Sequence, residues 1–159
     1  MGYLETSKIR ARIIQHCNGC GLDIGCQTDK IRPEAIGIDQ RRYEGMNITG
    51  DANNIPALFP VGTTFDYVYS SHCLEDIKYH ITALAGWAKM LRQGGLLILQ
   101  VPHPTLFKGH NPDHKHPGWT PAELIVMVKQ LGMEVVESFV DDVPAENRYS
   151  SVIVAKKVC

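Results

Sequence analysis

The run Leu96 to Val101 is continuously apolar except for Gln100. A strand with no polar alternation belongs to a sheet covered on both faces, the situation of strands in parallel α/β sheets rather than in open antiparallel ones. That one segment limits the chain to a layered α/β architecture. With 159 residues the whole of 1–159 is expected to form a single domain around that sheet.

Other short runs support it. Cys20–Ile24 ends in Gly25, Ala35–Ile38 ends in Asp39, Met46–Thr49 runs into Gly50-Asp51, and Phe65–Ser70 is rich in aromatic and β-branched residues. Helical spacing joins Leu4, Ile9, Ile13 and Ile14 in an N-terminal helix within 1–18, with Thr6 and Ser7 as candidate caps and Asn18-Gly19 as its stop. A second helical pattern links Ile77, Ile81, Leu84, Ala85, Ala88 and Leu91, and Gly94-Gly95 is expected to end it. The segment 102–119 reads as a polar, His- and Pro-rich loop. Thr120-Pro121-Ala122-Glu123 then has the cap, the first-turn proline and the reciprocal glutamate of a helix start, and this helix runs to Leu131-Gly132. Between Gly25 and Asp39 the interval is short and holds Pro33, so a loop or one turn is expected there.

Strands are also expected over Met133–Val140 and Tyr149–Ala155, with only a short loop, 141–148, between them. A parallel connection needs a crossover of about a dozen residues or more, so this pair must be antiparallel. The expected sheet is therefore mostly parallel and ends in one antiparallel strand.

Sixteen basic and 17 acidic residues leave a formal charge of −1, and the basic pairs Arg41-Arg42 and Lys156-Lys157 make no stripe. Neither a nucleic acid nor an anionic membrane is an expected partner. No apolar run approaches a membrane span, and residues 1–12 mix charge with apolar side chains, so a cytoplasmic location is expected. Five cysteines, an odd number, do not suggest a disulfide framework.

In an open α/β sheet a ligand sits beyond the carboxyl ends of the strands, where strand order reverses. Asp23-Ile24-Gly25-Cys26, Asp39-Gln40, Asp51-Ala52 and Ser70-Ser71-His72 would meet there. A carboxylate ending the second strand suits a ribose diol. One after the third suits an adenine edge, and a glycine in the first turn allows close approach to the backbone.

The segments GLDIGC, AIGID, GDANNIP, FDYVYSSHCLEDI and LRQGGLLILQVPH, in this order, resemble class I S-adenosylmethionine-dependent methyltransferases, in particular a short bacterial group. The resemblance runs from about Gly21 through Cys159, with VIVAKKV similar to the family's last strand. It implies a Rossmann-like seven-stranded sheet of order 3-2-1-4-5-7-6, strand 7 antiparallel, with helices on both faces. It also implies S-adenosylmethionine as cofactor and S-adenosylhomocysteine as product. Asp23 and Gly25 would lie by the methionine part, Cys26 among the cofactor-binding residues, Asp39 on the ribose hydroxyls, Gln40 beside the adenine, Asp51 and Ala52 flanking it, and Ser71 and His72 near the sulfonium. The implied acceptor is a small molecule or glycan-type intermediate, held by the N-terminal helix, the segment after Asp39 and the 102–119 loop, with Trp119 in a lid. A second subunit, in a homodimer or larger complex, could complete so open a site.

The chain departs from the family where a glycine-x-glycine-x-glycine turn is usual, since Gln27 and Asp29 stand at the later glycine positions. A side chain at either crowds the cofactor or redirects the backbone, above all if φ must be positive.

Methyl transfer from a sulfonium is an in-line displacement that mainly needs alignment and exclusion of water. A base is required only where the acceptor must lose a proton. His72 is the candidate catalytic base, with capping or packing of the following helix as its structural reading. His103 is a weaker one, against a solvated loop histidine. His110, His114 and His116 with Asp113 have spacing that a metal could use, yet histidines beside prolines are ordinary in loops, and no metal site is assigned. His16, Cys17, Cys20 and Cys26 are read as inert, with Cys20 a small hydrophobe opening a strand. Asp66 is read as structural and Trp87 as core or a partner-facing anchor. Two other functions compete: a methyltransferase-like binding module that has lost turnover, and a nicotinamide-dependent dehydrogenase. The second fits poorly, because Gly25-x-Gln27-x-x-Lys30 is not the dinucleotide fingerprint.

Overall fold

The computed structural model describes residues 5–109, 111–112, 114–141 and 148–158. The candidate caps Thr6 and Ser7, the histidine His110, the carboxylate Asp113 and most of the 141–148 loop lie outside what is described of side chains or backbone.

Seven strands form one sheet: β1 (Gly21–Ile24), β2 (Ile36–Asp39), β3 (Ile48–Thr49), β4 (Phe65–Ser71), β5 (Leu91–Phe107), β6 (Met133–Val140) and β7 (Arg148–Lys157). Their order is β3-β2-β1-β4-β5-β7-β6. Neighbours are parallel from β3 to β5, and β7 runs antiparallel to both β5 and β6. The fold is the Rossmann-like methyltransferase arrangement, with the strand order reversing at β1/β4, where a crevice must open.

The period of two along the central strands divides the core. Phe65 and Val68 of β4, Leu97, Leu99 and Val101 of β5, and Ile153 and Ala155 of β7 face one side, packed by α2 (His80–Lys89) and α3 (Pro121–Gln130). Tyr67, Tyr69, Ile98, Val152 and Val154 face the other, where Ile9 and Ile13 of α1 (Glu5–Ile13) cover them. Trp87, fully buried, donates its indole N–H to the Ala52 carbonyl at 2.8 Å and so belongs to the core. No helix among the described residues is long and apolar enough to cross a membrane.

Three boundaries differ from expectation. The second helix begins at His80, not Ile77, because a 3-10 turn over Leu74–Asp76 precedes it and Ile77 is extended and buried. It also ends at Lys89, before the glycine pair. Lys157 caps that end with its ammonium, at 3.1 Å from the Ala88 carbonyl and 2.7 Å from that of Leu91. Gly94-Gly95 instead lies inside β5, where Gly94 has φ +77° and a Cβ on Gly95 would meet three carbonyl oxygens at 3.0–3.1 Å. Finally, β5 continues through Pro102 to Phe107, pairing there with the start of β7. The prolines fit because the ladder shifts register between Pro102 and Phe107.

No helix occupies the interval between β1 and β2, which is built of turns. The Thr120 capping box is present: its hydroxyl accepts from Glu123 N at 3.3 Å while the Glu123 carboxylate accepts from Thr120 N at 2.7 Å.

Candidate functional site

A cavity of about 480 Å³ opens at the carboxyl ends of β1, β2 and β4, within the size range of small-molecule sites. Gly25 and Gln27 form one side. Asp39, Gln40, Arg41 and Tyr43 form the next, and Gly50 to Asn53 close that end. The turn after β4 brings His72, Cys73, Asp76 and Ile77, and the loop after β5 adds Asn111 and Lys115. Of the residues expected at the site, the cavity gathers Gly25, Asp39, Gln40, Asp51, Ala52 and His72.

Asp23, Cys26 and Ser71 are not on its surface. Asp23 is 2% exposed and accepts the Ile31 N–H at 2.6 Å, tying the loop after β1 back to the strand. Burial pushes its carboxyl up to about 7, opposed by that hydrogen bond. Cys26 lies under the loop against Gly37, where a Cβ would meet its sulfur at 2.8 Å, and burial lifts its thiol to about 12. Ser71 is buried and donates to the Gln100 side chain at 3.2 Å. Asp23 and Ser71 point away from the crevice as alternate residues of a strand do, and Cys26, in the turn after β1, is folded under it.

The turn after β1 requires glycine at 25: φ is +78° and a Cβ would stand 2.7 Å from that of Cys73. Gln27 also has positive φ, +46°, so the residue at the second glycine position does adopt the left-handed backbone. Its N–H donates to Asp39 Oδ2 at 3.2 Å, and Asp39 Oδ1 accepts from Arg41 N at 3.1 Å. Two more acceptor positions remain on that carboxylate. Asp29 is turned away from the cavity into a 2.6 Å salt bridge with Arg10 of α1.

Asp51 caps the 3-10 helix Ala52–Leu58, accepting from Asn53 N at 2.9 Å and Asn53 Nδ2 at 2.8 Å. Those two hydrogen bonds hold its carboxyl below the usual range.

At the end of β4, His72 has φ +49°. Its Nε2 lies 2.9 Å from Ser150 Oγ and its Nδ1 3.4 Å from the carboxylate of Glu75, itself wholly buried. Nε2 is thus hydrogen-bonded to protein, and Nδ1 faces a buried carboxylate. Asp76 lies on the cavity, with His114 Nε2 3.7 Å away. Burial first and Glu75 second raise its pKa, while His114 opposes the shift. Glu75 and Asp76 escaped sequence reasoning because charged residues in an apparent helix start read as solvated surface. Their i,i+3 and i,i+4 spacing from His72 was the available signal. Ser150, 78 positions away from His72, left none.

The loop after β5 folds back: Lys115 N and His116 N both donate to the Glu75 carbonyl, at 2.9 and 3.0 Å. His116 Nε2 meets His80 Nδ1 at 3.0 Å, and both rings lie beside Trp119. His103 Nδ1 accepts from Thr105 N and Leu106 N, a local turn contact. His16 pairs with Glu137 at 2.8 Å, whereas Cys17 is buried and Cys20 exposed. Among the described residues no three His, Cys, Asp or Glu gather as metal ligands.

Comparison with the curated proteins gave no match by sequence. Solved structures match in fold. The 1,6-didemethyltoxoflavin-N1-methyltransferase of Burkholderia thailandensis, crystallised with 1,6-didemethyltoxoflavin and S-adenosylhomocysteine, superposes with TM-score 0.77 at 15% identity, covering 98% of this chain and 80% of that one. The N-methyltransferase NodS of Bradyrhizobium japonicum gives 0.67 at 17%, covering 97% and 94%. A SAM-dependent methyltransferase of Archaeoglobus fulgidus gives 0.70 at 19%, covering 96% and 95%. The methyltransferase-domain family, which uses S-adenosylmethionine, matches residues 5–138. With that match over most of its length and the strand order of the fold, the chain belongs to the methyltransferase-domain family.

Proposed function

We propose that this protein transfers a methyl group from S-adenosylmethionine to a small-molecule or glycan-type acceptor. The observation that carries the reading is the convergence of Gly25, Asp39, Asp51, Ala52 and His72, from separate strand ends, on one cavity. The cavity fits the cofactor chemically. Gly25 lets its turn pack directly on Cys73 at the edge of the cavity, Asp39 keeps acceptor positions for a diol, and the backbone at Ala52 borders the cavity where an adenine edge would lie. When bound, S-adenosylmethionine supplies an activated methyl carbon and leaves as S-adenosylhomocysteine.

The chain's own task is alignment in a dry site. The N–H groups of Lys115 and His116, pinned by the Glu75 carbonyl, hold Lys115 at the cavity wall, which Asn111 also lines. With Nε2 of His72 on Ser150 and Nδ1 facing Glu75, the base role assigned to His72 by residue order passes in this proposal to Asp76. Its carboxyl is on the cavity, and its raised pKa makes it a stronger base than an ordinary carboxylate. That the Burkholderia thailandensis neighbour was crystallised with 1,6-didemethyltoxoflavin supports a small acceptor.

A second reading, a cofactor-binding module without turnover, draws on Gln27, whose side chain borders the cavity where a glycine is usual. Titration with S-adenosylhomocysteine, followed by its release from S-adenosylmethionine across amines, phenols, carboxylates and sugars, separates the two. Binding with turnover supports the enzyme and binding without turnover the module. No heat at millimolar ligand removes both.

A further inference from the structure

We propose that Glu75 is a positioning residue: its buried carboxylate faces Nδ1 of His72, holds the ring proton on that nitrogen and thereby fixes the imidazole as a rigid wall of the cavity.

Glu75 is 0% exposed, and neither carboxylate oxygen has a hydrogen-bond partner among the described residues. The His72 ring is the basic group beside it, with Nδ1 3.4 Å from Oε1. A buried carboxylate without a donor is strongly disfavoured, so a proton on Nδ1 is what this pair needs.

The other ring nitrogen accommodates that tautomer. Gln100 Nε2 lies 3.4 Å from Ser150 Oγ, and Ser150 Oγ lies 2.9 Å from His72 Nε2. A hydroxyl donates as well as accepts, so with the ring proton on Nδ1 the Ser150 hydrogen can go to Nε2.

Serine, histidine and glutamate here are joined in the sequence of a nucleophile-activating triad. Ser150 is 0% exposed within β7, however, so no substrate can reach its hydroxyl. Its hydrogen serves the imidazole instead.

The effect reaches the cofactor cavity through the backbone. His72 holds a left-handed φ of +49°, a conformation that persists in a non-glycine residue only where its surroundings over-determine it. Its N–H donates to the Gln100 carbonyl at 2.8 Å, and the two ring contacts complete the hold. Cys73, the next residue, packs so closely on Gly25 that a Cβ there would be 2.7 Å away. A rotation of His72 would therefore displace the turn on which the cofactor is proposed to rest. This last link alone rests on the proposed function.

The test uses the full chain with 15N-labelled histidine. Long-range 1H–15N correlation on the free protein should find Nδ1 of His72 protonated. In E75L the proton should leave Nδ1, and affinity for S-adenosylhomocysteine, read by calorimetry, should fall about tenfold or more. E75Q, whose amide oxygen still accepts, should keep Nδ1–H and stay within about threefold of wild type. A bare Nδ1 in the wild-type chain overturns the proposal, as does an E75L variant that keeps Nδ1–H or binds like wild type. Should E75L fail to fold, the wild-type spectrum and E75Q still decide. A wild-type chain that binds no S-adenosylhomocysteine would defeat the cofactor reading while leaving the tautomer readout intact.

Discussion

The guanidinium of Arg10 lies 2.6 Å from the carboxylate of Asp29 and donates to the carbonyls of Lys30 and Ile31 at 2.7 and 2.9 Å. Helix α1 is thereby stapled to the loop after β1, and Asp29, at a position the family usually fills with glycine, is drawn out of the cofactor's way. Removing the staple should loosen that loop. Arg10→Ala is expected to lower stability by about 1–3 kcal/mol, the range for hydrogen bonds to charged groups, in urea unfolding. It should also weaken S-adenosylhomocysteine binding, and a variant as stable as wild type would contradict the staple.

Gln27 should respond in the opposite direction. Its φ of +46° carries a left-handed penalty of about 1–2 kcal/mol, and its side chain borders the cavity. Gln27→Gly removes both but adds chain entropy to the unfolded state. Stability is expected to change by less than about 1 kcal/mol, while S-adenosylhomocysteine binds roughly fivefold tighter by calorimetry. Weaker binding would mean that the glutamine side chain contacts the ligand favourably.

Asp23 gives a pH signature. Its folded carboxyl titrates at about 7, above the ordinary 3.8, chiefly through burial. Between those values the folded state binds more protons than the unfolded one, so stability falls as pH rises from about 4 to 7 and levels off above. In Asp23→Asn, whose amide oxygen can still accept from Ile31 N, this component of the slope should vanish. Urea unfolding at several pH values would measure it, and an unchanged slope would show that Asp23 is not its source.

The order of the strands came with the family resemblance, while the strands and the antiparallel final pair were legible because apolar runs, turn residues and a short final loop are local signals. So was the cap at Thr120. What stayed hidden depended on distance. Which strand-end side chains face the crevice is set by pleat, so Asp23 and Ser71 share the right segments but lie off the cavity surface, as does Cys26 through the path of the turn after β1. The extension of β5 through two prolines needed the pairing of Phe107 with Arg148 to be seen. Gly94-Gly95 looks the same in sequence whether it stops a helix or bends a strand. The contacts of His72 include Ser150, 78 positions away and announced by no motif, whereas Glu75 stands only three positions on.

The capping box at the end of the cavity loop carries a simpler expectation. Thr120→Ala leaves Glu123 N without its side-chain acceptor and should cost about 1 kcal/mol. Glu123→Gln, which can still accept from Thr120 N, should cost less. Equal losses in urea unfolding would mean that the carboxylate charge matters more than the reciprocal bonds.

Asp39 tests the account most directly. Its carboxylate, fixed by Gln27 N and Arg41 N with acceptor positions to spare, is the proposed clamp on the cofactor's ribose. Calorimetric titration of the wild-type chain with S-adenosylhomocysteine should give saturable one-to-one binding, and Asp39→Ala should weaken it by roughly a hundredfold, the loss of about 3 kcal/mol of charge-assisted hydrogen bonding. No heat from the wild-type chain at millimolar ligand, or equal affinity in the two proteins, would contradict the proposal that this cavity binds S-adenosylmethionine.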